Sequence, residues 1–265
     1  MIGSIENHRS REAGSLVYPV YSRRSGGLSI GINLFPAEKV CPFNCPYCEV
    51  FPFHNDAGFS IKEMEKELVV IVEDAKSRNI PIRDICFSGN GEPTISPDFP
   101  DALGAAAWIR NEKAYEASIV VITSGAGLID SARSDVLVQA ATGPDSVHVW
   151  LKVDAGTEEW YRVINRSAIP FADVCAGIRD FCARAPAVVQ TMLCAVDAQI
   201  PSEQESESWV KLVSGLDHIE AIQIYGKCRP APEDPCAEPV PLSFLEARAE
   251  RIRKQIAPVP VFVFF

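Results

Sequence analysis

Cys41-Pro42-Phe43-Asn44-Cys45-Pro46-Tyr47-Cys48 carries three thiols spaced C-x3-C-x2-C. Three thiolates at this spacing suit three irons of one [4Fe–4S] cube and leave the fourth iron without a protein ligand. Structural iron–sulfur sites fill all four positions from the protein. An open iron, like an open position on zinc, marks a site that receives a ligand. Pro42 and Pro46 lack an N–H, and each disfavours helix at the residue before it. The segment is therefore expected to be a tight loop wrapped on its metal. Two other readings stand beside this one. A zinc knuckle asks for a fourth Cys or His at short range, for which His54 is the nearby candidate. The thiols are otherwise unligated side chains.

Outward from this stretch the chain alternates strand and helix. Residues 28–36 read as a first strand, with Ile30, Ile32 and Leu34 alternating with small residues. Residues 61–78 place Met64, Leu68, Ile71, Val72 and Ala75 on one helical face, behind Ser60 as N-cap. Strands are expected at 84–88, 118–123, 146–154, 187–193 and 218–225. Helices are expected at 98–113, 130–141, 158–164, 171–184, 203–214 and 242–255. Residues 226–241 form a proline-rich loop, and 259–265 a strand-like tail. Such alternation implies a parallel sheet, and near-continuous apolar strands imply that both its faces are buried. The expected fold class is α/β: a partial (β/α)6 TIM-like barrel of parallel strands. Residues 1–20 are expected to be an irregular arm, and 21–265 the barrel with a C-terminal extension over 226–265. A doubly wound open sheet predicts a glycine-rich fingerprint after the first strand; the cysteine loop stands there instead.

The C-x3-C-x-aromatic-C spacing, with Tyr47 as the aromatic, resembles the radical S-adenosylmethionine (radical SAM) superfamily. The stretches Ser22-Arg23-Arg24, Ser29-Ile-Gly-Ile-Asn-Leu-Phe-Pro36 and Leu151-Lys-Val-Asp-Ala-Gly-Thr-Glu-Glu-Trp-Tyr-Arg-Val-Ile-Asn-Arg166 resemble its wyosine-synthase-like, or iron–sulfur oxidoreductase, subset. The resemblance implies a [4Fe–4S] cluster on Cys41, Cys45 and Cys48 whose open iron chelates SAM. An electron then cleaves the sulfonium to give a 5′-deoxyadenosyl radical, which abstracts hydrogen from a substrate. It also implies an electron donor such as flavodoxin or ferredoxin.

In parallel barrels the active site lies at the carboxyl ends of the strands, and the unusual residues of this chain fall there. Gly89-Asn90-Gly91-Glu92-Pro93-Thr94 follows the second strand. Its glycines let backbone approach a ligand closely, and Glu92 adds negative charge for an ammonium. The stretch resembles the superfamily's Gly-Gly-Glu motif for the SAM amino group, with Asn90 inserted; a plain turn is the alternative. Ser124 and Asp154 are candidate partners of ribose hydroxyls, or helix caps. Lys152 and Asp154 point to one side of the sheet, where Lys152 pairs with Asp154 or with a ligand carboxylate. Arg162 and Arg166 are candidates for the SAM carboxylate, against a solvated helix face. Tyr47 is expected to lie against adenine, with Tyr225 at the adenine edge. No acid–base pair, Ser/His/Asp set or phosphate loop emerges, so catalytic residues beyond the cofactor sites are not assigned.

The 265 residues, 47% of them hydrophobic, suit one domain with a sizeable core. No apolar run reaches membrane-spanning length, and the first residues lack a signal-peptide apolar region, so a cytoplasmic enzyme is expected. Nine cysteines are then ligands or buried apolar groups rather than disulfides. Cys86, Cys175, Cys182 and Cys194 fall in core patterns; Cys228 and Cys236 lie in the proline-rich loop. A net charge of −10 argues against DNA and any large nucleic-acid footprint. The favoured substrate is a small molecule, with a tRNA base or a protein as alternatives. A non-catalytic iron–sulfur carrier or sensor is the reading from another class.

Overall fold

The computed structural model describes residues 14–265, and the chain divides into two compact units. The first comprises Met1–Cys41, Pro52–Ile122 and Gln139–His148. It opens with a hairpin of β1 (Val17–Ser22) and β2 (Gly27–Ile32), paired antiparallel. The turn closes through Gly26, whose φ of 72° is open to glycine, and whose N–H donates to Ser22 O. α1 (Ile61–Ser77), β3 (Ile82–Phe87), α2 (Phe99–Lys113) and β4 (Ser118–Thr123) follow. β2 pairs parallel with β3, and β3 parallel with β4. α1 starts where Ser60 Oγ accepts from Glu63 N, and it buries Met64, Leu68, Val72 and Ala75 of the expected stripe, while Ile71 is only half-buried. Glu67 on α1 also accepts from the N–H groups of Leu16 and Val17 (3.1 and 2.9 Å), which fixes the entry to β1.

β1 departs from the arm expected over residues 1–20. Residues 1–13 lie outside the described ones, but from Val17 the chain is strand. Pro19 hid it in the sequence, because proline donates nothing to a ladder and is tolerated only at an edge such as this.

The second unit comprises Pro42–Phe51, Thr123–Val138 and Val149–Phe265. Its elements are α3 (Ser131–Thr142), β5 (His148–Lys152), α4 (Glu158–Ile164), α5 (Phe171–Cys182), β6 (Ala187–Val196) and α6 (Glu203–Ser214). They continue as β7 (Ile219–Gly226), β8 (Ala237–Pro239), α7 (Leu242–Gln255) and β9 (Val261–Phe264). β5, β6, β7 and β9 form a parallel series in that order, so the apolar tail is a strand of the sheet. All ten residues of β6 are buried, as a strand covered on both faces requires. β8 pairs antiparallel with the end of β6 inside what the sequence presents as a loop. Three residues give no alternation to read. Burial pushes the thiols of Cys86, Cys182 and Cys194 up to about 12, as core cysteines require.

In the first unit the chain leading into Cys41 is stitched to the stretch after β3. Val40 N donates to Asn90 O and Glu92 N donates to Val40 O, both at 3.0 Å. Gly91 lies against this bridge, and a Cβ there would stand 1.9 Å from Val40 O. Gly91→Ala should therefore force the two segments apart and cost about 1–3 kcal/mol, the usual penalty of overpacking. Urea unfolding measures it; an unchanged midpoint would contradict the stitch.

Candidate functional site

Where β5 ends, Val153 N donates to Gln190 O on β6 at 2.8 Å, carrying the pairing one residue further. This delivers Asp154 into the interior of the second unit, with its side chain wholly buried. Its Oδ1 accepts from Met192 N at 2.9 Å. Its Oδ2 accepts from Tyr47 OH and, at 3.2 Å, from Asn165 Nδ2. Lys152 Nζ pairs with the same oxygen at 3.3 Å. Lys152 also donates to Tyr47 OH at 2.7 Å and Tyr225 OH at 2.5 Å. It stands 4.5 Å from the Tyr47 ring centroid and 5.2 Å from that of Tyr225. Lys152 is level with Gln190, and Gln190 with Gln223, across β5, β6 and β7; the two amides join at 2.6 Å.

The charges in this cluster follow from burial and neighbours. Burial pulls the Lys152 ammonium down, but Asp154 and Tyr225 beside it outweigh that and hold its pKa above the ordinary value. Burial pushes the Tyr47 phenol well up, and Asp154 pushes it further. Lys152 is thus matched by Asp154 inside a poorly solvated site.

The same cluster grips the cysteine loop. Asn165 closes the last turn of α4, where its N–H bonds Tyr161 O. Its Nδ2 reaches Cys45 Sγ at 3.6 Å, and its carbonyl accepts from Asn44 N at 2.9 Å. Ser167 Oγ donates to Pro42 O at 3.0 Å, and Cys48 N to Cys45 O at 3.0 Å. The loop has no helix or strand, as its prolines require, and none of the nine cysteines is in a disulfide. Burial raises the Cys45 thiol, while Lys152 draws it back. Cys41 ends the first unit; Cys45 and Cys48 belong to the second. Among the described residues no three His, Cys, Asp or Glu side chains are gathered as a metal cage. The donor set fits an iron–sulfur cluster all the same. It offers part-accessible thiols on irregular chain, and an amide N–H directed at one sulfur, a recognised tuning contact.

The remaining expected residues divide. Glu92 is buried, and its Oε1 accepts from Thr94 N and Thr94 Oγ1 at 3.2 and 2.6 Å, capping a short 3₁₀ turn. Gly89 packs beside Asn33, and Gly91 beside Val40, so the close approach these glycines permit is backbone to protein. Ser124 lies between β4 and a left-handed Gly125 with φ 83°. Arg162 does not join the cluster: it pairs with Glu158 at 2.5 Å on the exposed face of α4, the solvated alternative. Arg166 is adjacent to Asn165 but turns to Glu233 and to Cys236 Sγ (3.2 Å) on the loop after β7. Tyr47 is not an open platform, since Lys152 stands over its ring. Sequence reasoning missed Asn165, whose signal was only an asparagine at a helix end. It also missed the Gln190–Gln223 pair, hidden in apolar strands.

Asp154→Asn removes the counter-charge of a buried ammonium. Breaking one partner of such a pair costs roughly 3–5 kcal/mol. Lys152→Met added to Asp154→Asn should recover a large part of that loss in urea unfolding. A double variant no more stable than Asp154→Asn would contradict the pairing.

Comparison with known proteins bears on this arrangement. The family model for the radical SAM superfamily matches residues 39–195, more than half of the chain. A UPF0026 protein of Helicobacter pylori strain J99 is 35% identical over 85 residues, 30% of this chain. That match takes in 26% of the relative, so the chain spans about a quarter of its length. A radical SAM methyltransferase from Sphaerobacter thermophilus superposes with TM-score 0.67 at 15% identity, over 93% of this chain and 68% of its own. TYW1 with a lysine–pyruvate adduct bound gives 0.56 at 14% identity, over 85% and 73%. These structural likenesses carry the fold, the expected TIM-like partial barrel of mostly parallel strands. With the family model spanning the cysteine loop, β3 to β5 and β6, the chain belongs to the radical SAM superfamily, whose cofactors are a [4Fe–4S] cluster and S-adenosylmethionine.

Proposed function

We propose that the chain is a radical SAM enzyme with its cluster on Cys41, Cys45 and Cys48 and its SAM beside that loop. The observation that carries this reading is the Asp154 cluster, which ties strand-end residues to Cys45 through Asn165. Bound there, the cluster supplies the electron that cleaves SAM to a 5′-deoxyadenosyl radical. The protein's part is to hold and orient. Three thiolates hold iron, and the Asn165 amide donates to the Cys45 sulfur. Asp154 and Lys152, the latter also bonded to Tyr225, fix Tyr47 within the loop. The Gly89, Gly91 and Glu92 stretch is assigned to the SAM amino group and Ser124 to ribose. Arg166 serves the SAM carboxylate once it exchanges Glu233 for it, since a guanidinium binds either carboxylate equally well.

The substrate proposed is a small molecule, with a tRNA base and a protein as the other classes. The net charge of −10 disfavours RNA. The lysine–pyruvate adduct in TYW1 raises Lys152 as a nucleophile. Here Asp154 holds it as an ammonium, which has no lone pair to offer, so Lys152 is assigned to positioning. A ferredoxin- or flavodoxin-type donor supplies electrons. Among the described residues no helix is long and apolar enough to cross a membrane.

Anaerobic reconstitution followed by SAM and dithionite tests the proposal. The wild-type chain should bind about four irons, one cube, and release 5′-deoxyadenosine. Cys41→Ala, Cys45→Ala and Cys48→Ala should each lose both properties, while Cys228→Ser should keep both. A loaded cluster that yields no 5′-deoxyadenosine would favour an electron carrier, and full iron content in Cys45→Ala would refute the ligand set.

A further inference from the structure

Glu205 lies on the first turn of α6, far in sequence from the cysteine loop, yet it is buried. Its Oε1 accepts from Gly156 N and its Oε2 from Thr157 Oγ1. These belong to the loop that leaves β5 through Asp154. Four residues along α6, Trp209 Nε1 donates to Val153 O at 2.7 Å. The loop is pressed onto the helix, for a Cβ on Gly156 would stand 2.1 Å from Trp209 N. On this side a small cleft has Asp154, Glu205, Trp209 and Arg248 in its lining.

Thr157 carries the constraint further. Its Oγ1 donates to Glu205 and accepts from Trp160 N at 3.2 Å, which starts α4. α4 has seven residues and is capped at its far end by Asn165, the residue that touches both Asp154 and Cys45. One carboxylate thus sets both ends of the segment: Asp154, two residues before Gly156, and Asn165 at the far end of a short helix. We propose that Glu205 is a positioning residue of the SAM site, acting through Gly156 and Thr157 on Asp154 and Asn165. The inference rests on the reading above that Asp154 and Asn165 serve SAM and the cluster. Burial pushes the Glu205 carboxyl up while the Thr157 and Gly156 hydrogen bonds draw it back, which fits a carboxylate kept for its two acceptors.

The test measures SAM dissociation constants by anaerobic equilibrium dialysis on reconstituted protein, and amide hydrogen exchange over residues 154–165 in cluster-free protein. Glu205→Ala should keep its iron, exchange faster over this segment, and bind SAM about 10-fold or more weakly, the range seen when an outer partner of a binding group is lost. Glu205→Gln keeps an acceptor for Gly156 N but loses one for Thr157, so a loss of about threefold is expected. Glu203→Ala, an exposed residue of the same helix whose pairs with Arg248 and Arg251 of α7 it breaks, controls for general loosening and should bind SAM as wild type does. Wild-type affinity in both Glu205 variants, or an equal loss in Glu203→Ala, would overturn the inference. If Glu205→Ala does not fold, Glu205→Gln decides by the same measure. Asp154→Ala separates the two claims: should it bind SAM normally, the site reading itself fails, and the positioning role with it.

Discussion

A buried ammonium next to a buried carboxylate is the constraint on which the second unit depends. Lys152 and Asp154 are held where water is scarce, so neither charge persists without the other. Their remaining hydrogen-bonding capacity is met by Tyr47, Tyr225, Asn165 and the N–H of Met192. Those partners come from the cysteine loop, β7, the end of α4 and β6. A single charge pair therefore draws four separate pieces of chain to one point, and Cys45 is attached to that point through Asn165.

The parallel strands explain why this happens at their ends. β6 is covered on both faces, so its middle has room only for apolar groups and for polar groups that satisfy each other, as Gln190 and Gln223 do. Chemistry that needs an exchangeable partner must sit where the strands stop. Lys152 is the last residue of β5, and Tyr225 stands one short of the end of β7. In the first unit the same logic places Gly89 to Glu92 just past β3, where their backbone secures the approach to Cys41. The glycines there also serve chain-to-chain contact with Asn33 and Val40.

The alternation of strands and helices was legible because each apolar run has a period and a length. So were the cysteine loop, whose spacing is local, and the strand-end positions of Lys152 and Asp154. What stayed hidden is non-local. Nothing in the chain between residues 47 and 225 announces that Lys152 hydrogen-bonds to both Tyr47 and Tyr225. Glu205 reads as one more acid in the first turn of a helix, where acids are common. Arg162 and Arg166 looked alike in sequence, four residues apart. The helix turns one toward Glu158 and solvent, while a left-handed backbone at Arg166 (φ 47°) accompanies the other's contact with Glu233. β1 and β8 were missed because a proline and a length of three residues erase the strand signal.

The central claim is that a three-cysteine cluster with an open iron sits beside the Asp154 cluster and takes SAM as its ligand. Electron paramagnetic resonance of the dithionite-reduced, reconstituted protein, recorded before and after addition of SAM, reads that open iron directly. The account predicts a reduced [4Fe–4S] signal whose g values shift on SAM binding. A reduced cluster whose spectrum is unchanged by saturating SAM would contradict it.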